Sequence, residues 1–234
     1  MLTNGKYFDK LYFMVLENTG WSQCQNCKFV DYFNKYGTVF TNWIAAGHPS
    51  APNYRALMSS HHWSWTEFEG IKRPNIGDHV PIYIEDFKGA PAERHNPFLD
   101  MKSTQIVIDE PANINYLGMD DMNDAHSASL DIADNNVVEA ISQLTRKLNV
   151  DSGSRDLFFL VFDEAYGVTE WFTNHVFAGM IGLHNLILSK KQVHSLIHHQ
   201  DFAVMLYDNW GIPLPNLSGN VNLNLRGKPL WELT

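Results

Sequence analysis

Residues 10–16 (KLYFMVL) and 156–162 (DLFFLVF) are apolar runs rich in strand formers, with no polar alternation. Both predict strands buried on two faces, as in a parallel sheet. Each ends in polar groups, Glu17-Asn18 after the first and Asp163-Glu164 after the second. The carboxyl ends of strands are where open α/β sheets bind ligands. Between these runs, Phe29, Val30, Phe33 and Tyr36 mark a helix face that Gly37 can close. Residues 38–43 read as another strand, and 80–84 as a short one whose Pro81 suits an edge or a strand start. Residues 104–108 and 176–181 are further strand candidates, the latter entered through Asn174-His175. Leu130, Ala133, Val137, Ala140, Ile141 and Leu144 line one face of a helix over 131–148, and a last helix over 199–210 stops at Gly211. Residues 61–81 and 93–98 read as loops, and 216–234 as a peripheral loop or hairpin. The alternation predicts an α/β protein. We expect a three-layer α/β/α sandwich with a central, mostly parallel sheet, forming a single domain over 1–234 with 216–234 at its periphery.

The stretch 47–57 (GHPSAPNYRAL) reads as a sharp turn running into a helix. Pro52 suits a first helical turn, because its missing N–H has no partner to lose there. Ser50 then has two readings. It is either a helix cap or a nucleophile at a helix N-terminus, where free N–H groups and the dipole would hold an anion such as phosphate, flanked by His48 and Asn53.

Composition narrows the chemistry. A formal charge of −9 argues against a nucleic-acid backbone as partner. Eleven histidines invite a search for metal or acid–base roles. Cys24 and Cys27 are the two cysteines, too few for a disulfide framework or for a zinc site by themselves, and read as packed or surface thiols. Residues 1–20 do not read as a signal peptide and no window approaches 18 apolar residues. The chain is therefore expected to stay where it is made, in the cytoplasm, with no transmembrane segment.

If the two apolar strands are parallel neighbours, Glu17, Asn18, Asp163 and Glu164 meet at one sheet edge. Clustered carboxylates repel, so a divalent cation is their natural partner. The alternative is strand-end acids that are solvated or cap helices.

Leu16-Glu17-Asn18, His48-Pro49-Ser50-x-Pro52-Asn53-Tyr54, His95-Asn96-Pro97-Phe98, Phe162-Asp163-Glu164, Asn174-His175-Val176 and His199 ahead of Asn209-Trp210-Gly211 form a set. The set resembles the phosphoesterase family that contains acid phosphatases and phosphatidylcholine-type phospholipases C, within the alkaline phosphatase superfamily. The resemblance runs from about residue 10 to 215. It implies an alkaline phosphatase-like fold and metal-dependent hydrolysis of phosphate monoesters through a phosphoserine. Glu17 and Asn18 match metal and phosphate ligands, Ser50 the nucleophile and metal ligand, Asn53 a phosphate contact, and Asp163 and Glu164 the acidic metal pair. Asp124 and His126 lie in an Asn-Asp-x-His segment, with His126 facing phosphate; His175 and His199 match later histidine motifs. The resulting assignment makes Ser50, His48, His126 and His199 catalytic. Asn18, Asn53, His95, His175 and Asp124 bind substrate, and Glu17, Asn18, Ser50, Asp163 and Glu164 hold the metal. Asp124, His126 and either His175 or His199 could build a second metal site, but one cation is favoured, with an imidazolium replacing the other at acidic pH. The partner is then a phosphorylated small molecule or phospholipid headgroup. Two alternatives stand beside this: a phospholipase C-like diesterase, with Trp63 and Trp65 gripping the second group, and a non-catalytic domain that binds an anion or a partner.

Overall fold

A computed structural model describes residues 4–59, 74–98, 112–147, 153–167, 170–188, 191–215 and 227–234. The expected strand at 104–108, Trp63 and Trp65, and most of the 216–234 segment lie outside the described residues. The strands are β1 (Lys10–Leu16), β2 (Thr38–Ile44), β3 (Ile82–Lys88), β4 (Ile114–Met119), β5 (Arg155–Phe162), β6 (His175–His184), β7 (Lys191–Val193) and β8 (Ile197–His198). The helices are α1 (Lys28–Tyr36), α2 (Ser50–Ser59), α3 (Leu130–Lys147) and α4 (His199–Asn209). The strands form one eight-stranded sheet in the order β3-β4-β1-β5-β6-β2-β7, with β8 also on β2. Every pairing is parallel except those of β6, which runs antiparallel to both β5 and β2. The mostly parallel sheet is as expected, and β3, where Pro81 precedes the strand, is an edge.

Successive residues of a strand face opposite sides, and β5 shows what covers each side. Phe158 packs on Phe33 of α1, centroids 6.1 Å apart, and Phe159 stacks on Phe202 of α4 at 4.0 Å. Helices α1 and α3 therefore cover one face, and α2 with α4 the other. Each of these phenyl rings is fully buried, worth about 1.5–3 kcal/mol apiece. Gly179 of β6 lets α1 approach, because a Cβ there would lie 2.5 Å from the Phe33 ring. Helix α1 has no side-chain cap of its own. The Asp134 carboxylate of α3 accepts from Lys28 N at 3.0 Å and Phe29 N at 2.9 Å, fixing the two helices together. Cys24 and Cys27 are buried free thiols just ahead of α1. Burial pushes Cys24 up and Cys27 up to about 12, which removes them from nucleophilic chemistry.

No helix among the described residues is long and apolar enough to cross a membrane. Strands β1, β2, β4 and β5 point the same way, so their carboxyl ends share one edge of the sheet. Register places Leu16 opposite Phe162, and the next residues of the two strands, Glu17 and Asp163, leave the sheet side by side. The site is built there.

Candidate active site

Ser50 is the first residue of α2, and its hydroxyl reaches the strand-end acids. The Oγ donates towards Glu17 Oε2 at 2.9 Å, with Glu164 Oε1 at 3.3 Å. Pro52 sits in the first turn of α2, where N–H groups have no intrahelical partner. The Asn53 amide shapes the turn from behind. Its Oδ1 accepts from Gly47 N at 3.0 Å, and its Nδ2 donates to Gly47 O and Pro49 O at 2.9 and 3.2 Å. Asn174, singled out in the sequence only as the residue before His175, braces the same turn. Its Nδ2 donates to Gly47 O, and its Oδ1 accepts from Ala165 N just past the acidic pair.

Around Ser50 the acids crowd together. Glu17 is fully buried, and Tyr54 OH and Ser50 Oγ each donate to one of its oxygens. Burial, then the neighbouring Asp163 charge, holds its carboxyl well above the usual range. Asp163 is also fully buried, and burial followed by Glu164 pushes it up to about 8. Its Oδ1 accepts from Asn18 N at 3.0 Å, while its Oδ2 has no hydrogen-bond partner among the described residues. Asn18 takes a left-handed backbone, φ 52°, to deliver that N–H, a conformation asparagine tolerates better than most residues. Glu164 bonds His48 Nδ1. His48 Nε2 must carry a proton, because it faces the Trp171 carbonyl at 3.0 Å. Either His48 is an imidazolium, or Glu164 holds the proton they share. The Trp171 indole stacks on the His48 ring at 3.7 Å, 4° from parallel. Tyr166, Gly167, Trp171 and Phe172 line a shallow apolar cleft of about 460 Å³ beside it.

A raised carboxyl couples folding to pH. Below about pH 4, Asp163 is protonated whether folded or not. Between about 4 and 8 the fold keeps a proton that the unfolded chain releases, so stability falls as pH rises through that window. In chelator-treated protein we expect the denaturant midpoint to drop between pH 5 and pH 8, by the equivalent of a few kcal/mol at about 1.4 kcal/mol per unit. A midpoint that climbs over this range would contradict the buried-acid assignment.

The structure places several expected residues in support of the site rather than at its reacting end. His199 is fully buried. Its Nδ1 accepts from Trp43 Nε1 at 2.7 Å and its Nε2 faces the Asp163 carbonyl at 2.8 Å. An indole N–H only donates, so the ring is the neutral Nε2–H tautomer, and burial pulls its pKa down to about 3. His199 therefore positions Asp163 and is not an acid or base. His175, expected on substrate, faces the Thr41 carbonyl through Nε2 at 3.0 Å and stacks on Trp21, pinning β6 to β2. Asn53, as described, has its amide satisfied by the turn.

His95 and Asp124, expected on substrate, lie in a carboxylate-rich recess. The His95 ring is fully buried, stacked on Tyr54, with Glu17 Oε1 at 3.4 Å from Nε2. Asp121 Oδ1 and Asp124 Oδ2 lie 3.3 and 3.6 Å from Nδ1. Three carboxylates around one imidazole exclude an anion from that spot. Asp124 also ties the recess to β1, since its carbonyl accepts from Glu17 N at 2.8 Å. His126 is exposed at the mouth of the recess, its ring 5.6 Å from that of His95. Sequence reasoning missed Asp121, Tyr54 and Trp171. The signal for Asp121 was available in principle, as an acid just past β4.

No protein-family model matches the chain. It is 25% identical, over an alignment 256 positions long, to a phosphate-repressible acid phosphatase of Penicillium chrysogenum, covering 89% of this chain and 60% of that protein. The chain thus spans about three-fifths of that relative's length. Among solved structures, a protein of the alkaline phosphatase superfamily from Vibrio parahaemolyticus superposes with a TM-score of 0.64 at 13% identity, covering 88% of this chain and 67% of the other. Murine ectonucleotide pyrophosphatase/phosphodiesterase 5 in complex with AMP gives 0.57 at 10% identity, covering 90% and 97%. The chain thus has an alkaline phosphatase-like fold, and an acid phosphatase is among the curated proteins it resembles in sequence.

Proposed function

We propose that the chain hydrolyses phosphate monoesters through a phosphoserine on Ser50, with a divalent cation held by Glu17, Ser50, Asp163 and Glu164, and Asn18 beside them. The observation that carries this reading is the Ser50 hydroxyl, which leaves the helix end and donates into a buried acid cluster. The acids fit a cation. They offer hard oxygen donors, one of which, Asp163 Oδ2, is buried with no hydrogen-bond partner among the described residues. When bound, such a cation supplies Lewis-acid stabilisation of phosphate charge and makes the serine oxygen more acidic.

The chain's own groups do the rest. The free N–H groups at the start of α2 face the phosphate oxygens. Ser50 Oγ bonds to phosphorus as its proton passes to Glu17 Oε2, and the ester P–O bond breaks. The departing alcohol takes a proton from His126. Water then attacks the phosphoserine, giving its proton to His126, and Ser50 recovers its own from Glu17, so both groups return to their starting state. Glu164 and His48 keep Ser50 oriented.

Supporting the reading are the acid phosphatase named among the sequence relatives and the superfamily fold. The test is an acid quench during turnover of a phosphate monoester, followed by mass spectrometry. A phosphoryl group on Ser50 is expected, together with faster hydrolysis of the monoester than of a phosphocholine diester. Turnover with no trapped phosphoserine under saturating substrate rejects the mechanism. Faster diester hydrolysis would instead favour the phospholipase C-like alternative, with the apolar cleft at Trp171 and Phe172 receiving the second group.

A further inference from the structure

We propose that the cleft walled by Tyr166, Gly167, Trp171 and Phe172 receives the alcohol portion of the phosphate ester, and that this portion carries an uncharged aromatic ring close to the ester oxygen. The proposal rests on the reading of Ser50 as the reacting group and adds the substrate class to it.

Exposed apolar side chains are concentrated here. Tyr166 is 62% exposed, Trp171 43% and Phe172 89%, three of the eight large apolar side chains that are exposed among the described residues. A contiguous exposed cluster of this kind marks a contact surface. The cleft encloses about 460 Å³, within the roughly 300–1,000 Å³ of small-molecule sites. No charged side chain is among its described lining residues. Gly167 takes φ 116°, a conformation that favours glycine, and without a Cβ it leaves the space beside it open.

The wall is held in place and joined to the reacting centre. Trp171 N donates to Gly167 O at 2.9 Å. The carboxylate of the preceding Glu170 accepts from Ser22 N and Ser22 Oγ, each at 2.9 Å. The Trp171 indole stacks on His48, two residues before Ser50, and its carbonyl faces His48 Nε2. His48 in turn bonds Glu164, whose Oε1 lies 3.3 Å from Ser50 Oγ. His48 is not among the described lining residues, so the cleft meets the indole away from His48. A ring docked there presses on the same indole that steadies His48, one side chain removed from the group that orients Ser50.

The lining chooses between occupants. A sugar or glycerol brings hydroxyls against walls that are mostly aromatic, where few of them can be bonded. A quaternary ammonium can sit on aromatic faces. Here the nearby acids are committed elsewhere, Glu164 to His48 and Ser50 and Glu170 to Ser22, and neither lines the cleft. An uncharged ring needs only the apolar walls, and each well-placed contact between two rings raises affinity about two- to tenfold.

The test is the ratio of kcat/KM for 2-naphthyl phosphate to that for glycerol 2-phosphate, measured on the full chain as wild type, Trp171→Ala and Phe172→Ala. The intrinsic reactivity of each ester cancels when the ratio is compared between proteins. We expect the ratio to fall about fivefold or more in both variants. Trp171→Ala should also lower kcat for both esters, because His48 loses its stacking partner. Phe172 is the more exposed of the two and tolerates truncation, so it reports on the cleft without disturbing His48. A second readout needs no turnover. The affinity of 2-naphthylmethylphosphonate relative to ethylphosphonate, measured by calorimetry, should fall by a similar factor in Phe172→Ala. Ratios within about twofold of the wild type in both variants, less than one ring contact supplies, overturn the proposal. So does hydrolysis of phosphocholine faster than of 2-naphthyl phosphate that falls in the same variants, which would give the cleft to a cation. A trapped phosphoserine with unchanged ratios fails the cleft alone. If neither ester turns over, the reading at Ser50 fails, and the phosphonate affinities decide on the cleft.

Discussion

Replacing Ser50 with Ala is expected to lower turnover of a phosphate monoester at least a thousandfold while the protein stays folded. The hydroxyl, carried by the first residue of α2, donates into the acid cluster 2.9 Å from Glu17 Oε2. Without it the covalent route closes, and a thousandfold loss corresponds to about 4 kcal/mol of transition-state stabilisation. Folding suffers less. The change strips a donor from a buried carboxylate, which costs about 1–3 kcal/mol against the 5–15 kcal/mol that typically holds a domain together. A cap-only serine would give the opposite result, a loss of about 1 kcal/mol of stability with near-normal turnover. Parallel measurement of kcat and of the denaturant midpoint distinguishes the two. If the variant retains more than about a tenth of wild-type turnover, too small a loss for a missing nucleophile, His48 becomes the next residue to test.

Asp163→Ala is expected to remove the cation nearest Ser50 together with the activity, again by about three orders of magnitude or more. The reason is the position of Asp163 at the end of β5, fully buried, with one oxygen held by Asn18 N and the other without a hydrogen-bond partner among the described residues. A lost fold could mimic that result. Asp163 is a buried acid pushed up to about 8, so its removal should cost the chelator-treated protein less stability at pH 8 than at pH 5. Metal analysis and a denaturant curve on one preparation check both halves. Unchanged metal content in the variant would show that Asp163 is not a ligand.

Much of this arrangement could be read from the chain, and what could not has physical reasons. Strands β1 and β5 are continuous apolar runs because both of their faces are covered, and their terminal acids stand out for that reason. β4 gave no such signal. Its sequence INYLGM places Asn115 between β3 and β1, fully buried, with its Nδ2 donating to Leu11 O and Ala112 O and its Oδ1 accepting from Ala112 N. A polar side chain satisfied by neighbouring backbone looks from the sequence like a loop residue. With β4 unread, Asp121 at its exit went unread as well. β7 and β8 are three and two residues long, too short for any periodicity. For the histidines the limit is different. The motifs identified His175 and His199 but not their partners, and Thr41 and Trp43 belong to a strand more than 130 residues earlier. A histidine's tautomer depends on what faces each nitrogen, so its chemistry cannot be assigned from spacing alone.

The side-by-side exit of Glu17 and Asp163 bears on how the protein is assembled. The Asn18–Asp163 bond joins residues 145 positions apart, and Ser50 meets Glu164 across 114. Contacts this distant in the chain form only after long loops have closed, which slows folding and places such contacts late. No local hairpin or single helix can bring Glu17 and Ser50 to the Asp163-Glu164 pair. The proposed cation site therefore does not exist until β1 and β5 have paired. Ion selection at the proposed site would thus be made by the finished recess, with the size and charge it has by then, and not by a flexible chain that would favour whichever ion binds loose ligands most tightly.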